Sequence, residues 1–366
     1  MRRTRRCRLM KVLYLTNIHN PYRDEFFNQL GNQCELTVLF EERSDPDRDS
    51  SWFEASRVQS YRELYLSGSN ERQLLSSMIG TIGAGWSVVV IGCYNRTRQI
   101  IASEFLKFRK IPFVVNSDGL AFDNGGFLKR ALRRHVLRGA SSYLVAGSTC
   151  ASSLRRIVGD TAAIAPYPFS SLTQQQINEL SGQAVKRDSR RILVVGQYQD
   201  YKGLDVALAA AKILCDKYYF LFVGAGKRVS ELKLAAMELE LSNVEFVSFM
   251  KPEELKDEYL RAGAFVLPSR QECWGLVVNE AAACGCPIIS TWGSGAAVEF
   301  LSGQYPQFLA APDNAMSLAG AIEAYFAQPE IEKSRYSAFL KSKATDYSIE
   351  HMVEAHMKLL EEMTLR

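Results

Sequence analysis

The chain predicts an α/β protein built from two doubly wound domains. Three observations lead there. Short apolar runs alternate with helical patterns along the chain. The alternation pauses over the polar residues 171–190 and then starts again. The length, 366 residues, exceeds what a single hydrophobic core ordinarily serves.

The elements follow in order. "MKVLYLTNI" (10–18) is an apolar run ending in polar residues, the profile of a buried parallel strand. "NPYRDEFFNQLG" reads as a helix, with Pro21 in its first turn, Phe26, Phe27 and Leu30 on one side and Gly31 as its stop. "CELTVLF", "WSVVVIG" and "IPFVVNSDG" give further strands, and the uncharged, Gly-broken residues 79–94 read as a loop feeding the second of these. "SSYLVAGS" follows a basic helix, and Ser148 or Thr149 is expected to cap the next helix, "CASSLRRIVG". Residues 171–190 carry no β pattern and read as the junction. "RILVVGQ" restarts the series, followed by helix "GLDVALAAAKILC", strand "YYFLFVGAG", helix "KRVSELKLAAMELE", strand "VEFVSFM", helix "EELKDEYLRAG", strand "AFVLPS", a small-residue helix and strand "PIIST". "SIEHMVEAHMKLLEEMTL" closes the chain as an amphipathic helix.

Composition narrows the function classes. With 47% hydrophobic and 23% charged residues the chain is globular. Its charge is uneven. Residues 1–170 hold 24 Lys+Arg against 15 Asp+Glu, a net of +9, whereas the remainder holds 20 against 25, a net of −5. The basic front half fits either an anionic partner or a solvated surface. Eight scattered cysteines, with only Cys284 and Cys286 close together, do not form a four-ligand metal set. No run is long enough to cross a membrane and no secretory segment is evident, so a reducing, cytoplasmic compartment is expected.

Three strand ends in the second half could carry chemistry. "VVGQYQDYKG" puts Gly196 at a strand end and Lys202 just before Gly203 and a helix. "FVGAGK" puts Gly224 and Gly226 at another. "PSRQECWGLVVNE" follows a third and holds two acids, Glu272 and Glu280, eight positions apart. Open α/β sheets bind ligands beyond the carboxyl ends of their strands. Glycine lets backbone approach a ligand, and helix amino termini favour phosphate. Taken singly, each feature reads equally as a turn or a solvated side chain. Together they suggest an anionic, hydroxyl-rich ligand such as a sugar nucleotide, with Lys202 on phosphate and the carboxylates on sugar hydroxyls. Neither the dinucleotide fingerprint nor the Walker pattern is present.

The segment "ECWGLVVNEAAACGCP" (272–287) resembles the E-x7-E donor signature of the GT4 family of retaining glycosyltransferases, with "PSRQE" before it and the Lys202–Gly203 pair also matching. The opening "LTNIHNPYRDEFFNQL" is similar to bacterial polysaccharide-assembly members. The resemblance implies the GT-B fold, two Rossmann-like domains facing across a cleft: residues 1–170 for the acceptor, a linker at 171–190, residues 191–345 for the nucleotide-sugar donor, and residues 346–366 packing back on the first domain. It implies a retaining hexosyltransferase using a UDP- or GDP-linked donor, without a metal or other cofactor, on a glycan or polyprenyl-linked acceptor of cell-surface polysaccharide such as lipopolysaccharide or capsule. Glu280 would bind ribose and Glu272 the donor sugar, with backbone N–H groups of Cys273, Trp274, Gly275 and Leu276 nearby. Lys202 would meet the diphosphate, and Gly196, Gln197, Gly224, Gly226, Phe249 and Met250 would line the nucleotide. One departure stands out. The family carries Arg directly after the strand-end glycine, where this chain has Gln197; Arg270, Arg228 or Lys227 could compensate. In the first half His19 and Asp118 are candidate catalytic residues, His19 equally a helix-cap neighbour and Asp118 equally the start of an Asx turn.

Residues 127–140, "FLKRALRRHVLRGA", form a basic amphipathic pattern that suits either an anionic membrane surface on the inner face of the cell membrane or a sheet-packed helix with its arginines in water. Nucleic acid is not expected, since the basic residues are not interleaved with aromatics.

Overall fold

A computed structural model describes residues 10–43, 59–92, 96–119, 131, 134–183 and 186–365. The chain divides into two compact units, residues 1–168 with 349–366, and residues 169–348.

Among the described residues the first unit carries seven parallel strands: β1 (Lys11–Ile18), β2 (Glu35–Glu42), β3 (Arg62–Tyr65), β4 (Val88–Ile91), β5 (Phe113–Ser117), β6 (Ser142–Ala146) and β7 (Ile164–Tyr167). They lie in the order β3-β2-β1-β4-β5-β6-β7. The strands Val88–Ile91 and Phe113–Ser117 are buried throughout, as strands covered on both faces must be. Leu13, Leu15, Val89, Ile91, Val115 and Leu154 share one core. Burying each such side chain contributes about 1.5–3 kcal/mol. The terminal helix Ile349–Thr364 belongs to this unit and buries Ile349, Met352, Val353, His356 and Leu360.

The second unit carries six parallel strands: β8 (Asp188–Val195), β9 (Tyr219–Val223), β10 (Val244–Val247), β11 (Ala262–Leu267), β12 (Ile288–Thr291) and β13 (Leu309–Ala310), in the order β10-β9-β8-β11-β12-β13. In each sheet the first strand of its unit lies centrally and the chain winds outward from it in both directions. The winding reverses between β1 and β4 in one unit and between β8 and β11 in the other. Ligands of open α/β sheets bind at such reversal points, beyond the carboxyl ends of the strands.

Several expectations change. Residues 171–190 are not a bare linker: Gln174–Ser181 is a helix started by a Thr173–Gln176 capping box, and β8 begins at Asp188. The T-x-x-Q signal for that box is present in the sequence. Residues 79–82 end the helix Glu71–Ile82 instead of forming a loop. The helix Gly147–Val158 starts before Ser148 and Thr149, with Ala146 at its cap, so neither hydroxyl caps it. Most of the basic segment 127–133 lies outside the described residues. Beyond it, Val136 and Leu137 are buried in the first core, while Arg134, His135 and Arg138 are exposed. Among the described residues no helix is long and apolar enough to cross a membrane.

Candidate functional site

The second unit gathers its candidate residues at the carboxyl ends of four neighbouring strands. After β8 the chain runs Gly196, Gln197, Tyr198, then a 3-10 turn Asp200–Lys202, then Gly203 and the helix Leu204–Ile213. Gly203 sits at φ 65°, and a Cβ there would lie 2.2 Å from the Pro268 carbonyl oxygen. Only glycine fits, and its absence of side chain lets the β8 and β11 loops touch. After β9, Gly224 and Gly226 back onto the same loop. Added Cβ atoms would meet the Gly196 carbonyl oxygen at 2.0 Å and the Tyr198 backbone at 2.8 Å. The Tyr198 N–H donates to Ala225 O at 2.9 Å, and the Arg270 N–H donates to Tyr201 O at 2.8 Å. The three loops are therefore one hydrogen-bonded scaffold.

Lys202 follows β8 and Glu272 follows β11, on either side of the reversal point. Lys202 Nζ pairs with Glu272 Oε2, both side chains being largely buried. The lysine stem runs past Gly196, where a Cβ would lie 3.6 Å from Lys202 Cδ. Glu272 is fixed by its backbone: its N–H donates to Gly293 O at 2.8 Å and its carbonyl accepts from Gly295 N–H at 3.1 Å. Ser269 Oγ donates to Glu272 Oε2 at 3.4 Å.

Glu280 lies on the helix Leu276–Ala283, whose amino end is Gly275 without a side-chain cap. Tyr259 Oη donates to Glu280 Oε2 at 3.2 Å. Burial pushes the Glu280 carboxyl above the ordinary range, and the Tyr259 bond partly offsets this. Phe249 is about half exposed and Met250 half-buried, both just beyond β10. Cys273 and Gln197 are exposed.

Trp274 and Arg270 have side chains already engaged within the protein. The Trp274 indole is interior: its Nε1–H donates to Asn279 Oδ1 at 3.0 Å, and the ring stacks on Tyr347 at 5.9 Å. Only its backbone can face a ligand, because a ring of that area is most stable in the core. Arg270 is held by Asp205 through both Nη1 and Nη2, by Asp313 through Nε at 2.8 Å and by the Asp200 carbonyl at 2.7 Å. Asp205 and Asp313, which no motif singled out, are the residues that hold it. Two acids within reach of one Arg in different loops leave no local sequence signal.

In the first unit, Asp118 follows β5 and His19 follows β1. Arg23 Nη2 and Tyr167 Oη both donate to the Asp118 carboxylate, the latter at 2.7 Å. Arg23 is buried; its Nη1 donates to Tyr14 Oη at 3.3 Å, which donates to Asn116 Oδ1 at 2.5 Å. Asn116 Nδ2 meets His356 Nε2 at 3.3 Å, and His356 Nδ1 lies 2.7 Å from Met352 O. The assignment that satisfies every partner has His356 protonated on Nδ1 only. Burial lowers its pKa to about 4. His19 is buried with Nε2 2.7 Å from Asp24 Oδ1. The Asx-turn residues beyond Gly119 lie outside the described residues.

Among the described residues no group of three or more His, Cys, Asp or Glu is arranged to hold a metal ion.

Comparison with known proteins agrees with this geometry. Residues 176–341 match the family model for glycosyl transferases group 1. A D-inositol 3-phosphate glycosyltransferase of Corynebacterium jeikeium is 36% identical over 108 residues, covering 26% of each chain. The chain spans less than half the length of the curated relatives it matches. Sucrose-phosphate synthase from Thermosynechococcus elongatus superposes with a TM-score of 0.74 at 16% identity, over 97% of this chain and 99% of that one. HepE of Anabaena, in complex with UDP and glucose, superposes with a TM-score of 0.74 at 13% identity, over 96% and 100%. At these identities the superpositions establish the fold. The chain has the GT-B fold, and its segment 176–341, which holds Lys202, Glu272 and Glu280, matches the glycosyl transferases group 1 family.

Proposed function

We propose that this chain is a retaining glycosyltransferase that takes a hexose from a UDP- or GDP-linked donor and moves it to a hydroxyl of a glycan or lipid-linked glycan in cell-surface polysaccharide assembly. The observation that carries the reading is the Lys202–Glu272 pair at the reversal point of a parallel sheet, with Glu280 on the helix that follows. The likeness to HepE, a structure holding UDP and glucose, supports a nucleotide sugar as the ligand.

In this reading Lys202 turns from Glu272 to the donor diphosphate, and Glu272 accepts hydroxyls of the transferred sugar. Glu280 accepts the ribose hydroxyls, with Tyr259 orienting its carboxylate. Gly196, Gly224 and Gly226 keep the strand ends open to the nucleotide, and the backbone of residues 273–276 lies beside the sugar. The bond from the sugar's anomeric carbon to the diphosphate oxygen breaks as the acceptor oxygen approaches on the same face. The acceptor proton passes to a departing phosphate oxygen. Preorganised positive charge at Lys202 stabilises that leaving group. The two acids bind different parts of the donor, unlike the flanking pair of a glycosidase.

Asp118 and His19 are proposed to serve the acceptor side. Asp118 orients the incoming hydroxyl, and Arg23 and Tyr167 fix its carboxylate. A membrane-bound acceptor fits the basic segment 127–140, of which Arg134 and Arg138 are exposed. The exposed Gln197, where a cation is expected, favours a second reading, a catalytically weakened donor-binding protein of polysaccharide assembly. Incubating the chain with a panel of nucleotide sugars and extracted lipid acceptors, followed by mass spectrometry, separates the two. Transfer of one hexose supports the enzyme. Donor binding without transfer or hydrolysis supports the second reading.

A further inference from the structure

A donor diphosphate carries more negative charge than Lys202 alone can offset, and Lys202 already pairs with Glu272. Position 197 supplies no cation. Two arginines stand at the same end of the sheet, and their surroundings differ.

Arg270 ties three elements together. Its guanidinium bonds the Asp200 carbonyl in the β8 loop, Asp205 on the helix Leu204–Ile213 and Asp313 beyond β13. Turning it toward a ligand would break all of these at once and loosen the loops that shape the site.

Arg228 follows the Gly224–Gly226 turn and sits at the amino end of the helix Val229–Glu238. Gly226 packs directly on Tyr198, the neighbour of Gln197, so Arg228 and position 197 belong to touching loops. Arg228 Nε donates to Glu231 Oε2 at 2.8 Å, Nη2 pairs with Glu231 and Nη1 pairs with Asp200. Both partners face water: the side chains of Asp200 and Glu231 are 86% and 61% exposed. Exposed pairs of this kind hold weakly, since water replaces the cation at either carboxylate. Arg228 can exchange these carboxylates for another anion; the carboxylates of Arg270 are also partly exposed, but Arg270 in addition holds the Asp200 carbonyl and ties three elements together. A planar guanidinium also suits two phosphate oxygens at once.

We propose that Arg228 is the second diphosphate-binding cation of this site: Asp200 and Glu231 hold it in the present arrangement, and it exchanges onto the donor's phosphates when nucleotide binds. This rests on the nucleotide-sugar reading above, and it deepens that reading by assigning the charge missing at Gln197.

Isothermal titration of the full chain with UDP, UMP, GDP and GMP tests it. Arg228→Ala, shown to be folded by its melting curve, is expected to weaken diphosphate binding about tenfold, the loss of one charge-assisted contact, with monophosphate affinity little changed. Arg228→Lys should recover part of the loss. The double variant Asp200→Asn, Glu231→Gln, which frees Arg228, should bind the diphosphate more tightly than the wild type. A diphosphate-to-monophosphate affinity ratio in Arg228→Ala equal to that of the wild type overturns this proposal alone. Failure of the wild-type chain to bind any of the four nucleotides overturns the donor reading, and the proposal with it.

Discussion

Asp118 in the first unit and Glu272 in the second are both carboxylates just beyond a parallel strand, and each is paired with a cation. Their supports differ. Asp118 ends a continuous polar chain through Arg23, Tyr14 and Asn116 to His356 on the terminal helix, nearly all of it buried. Glu272 is fixed by its backbone, and its side chain meets one lysine at the point where the strand order reverses. Removing a member of the first arrangement disturbs a chain of several linked side chains, whereas removing Lys202 takes one ionic partner from a carboxylate that keeps its Ser269 contact and its backbone bonds. On the proposed reading the first arrangement fixes Asp118 within its unit, and the second is offered to the donor. That contrast can be broken by experiment.

The largest effect is expected at Asp118. Asp118→Ala removes the Asp118 carboxylate from the buried Arg23 and Tyr167 and should destabilise the first unit by about 3–4 kcal/mol in urea denaturation. An unchanged midpoint would mean that the polar chain is not structural.

Next comes the far end of that chain. His356 is held neutral in the folded protein, with its pKa at about 4 instead of 6.5, through burial first, the Met352 carbonyl opposing, and Arg23 adding to the shift against Asp118. Asn116 and the ring of Tyr167 also face it. The unfolded chain binds the proton more readily, so the stability from neutral His356 is present above pH 6.5 and is lost as pH falls toward 4. The loss should be about 2–3 kcal/mol over that window. His356→Gln should flatten it, as followed by denaturation at pH 7, 5.5 and 4.5.

In the second unit the readout shifts from stability to binding. Lys202→Ala should weaken UDP or GDP binding by about 2 kcal/mol, roughly thirtyfold, with a smaller change in melting temperature than Asp118→Ala. A stability loss as large as that of Asp118→Ala, with binding retained, would reverse the comparison.

The smallest effect is expected at Glu280. Burial raises its pKa above 4.5, so the folded state holds the proton more tightly than the unfolded chain. Stability is then highest below pH 4.5 and falls as pH rises through the raised value. Glu280→Gln removes that loss. It should melt at a higher temperature than the wild type at pH 7 and at the same temperature near pH 4. A site residue that costs stability where it is ionised is what a ligand-binding carboxylate predicts.

The two regions also differed in how far the sequence disclosed them. In the second unit each feature is local. Gly203 precedes a helix, Gly224 and Gly226 follow a strand, and the eight-residue spacing of Glu272 and Glu280 spans one loop and one helical turn. Apolar runs such as Val88–Ile91 likewise disclose buried strands, because full burial of a parallel strand demands them. The first unit's polar chain joins residues 102 and 240 positions apart, Tyr14 to Asn116 and Asn116 to His356. No local pattern encodes such contacts, and His356 in an amphipathic helix reads as an ordinary helix residue. The core role of the Trp274 ring against Tyr347 is likewise invisible in the motif, which speaks only for its backbone. The helix Gln174–Ser181 was legible through its Thr173–Gln176 box, but the polarity of the surrounding stretch hid it.

The central claim is that the second unit binds a nucleotide sugar through Glu280, Lys202 and Glu272, while Asp118 does not touch the nucleotide. Titration of UDP and GDP into the wild type, Glu280→Ala and Asp118→Ala, at a temperature where all three are folded, tests this most directly. The account predicts that Glu280→Ala binds at least about tenfold more weakly, and that Asp118→Ala matches the wild type. Wild-type affinity in Glu280→Ala would contradict it.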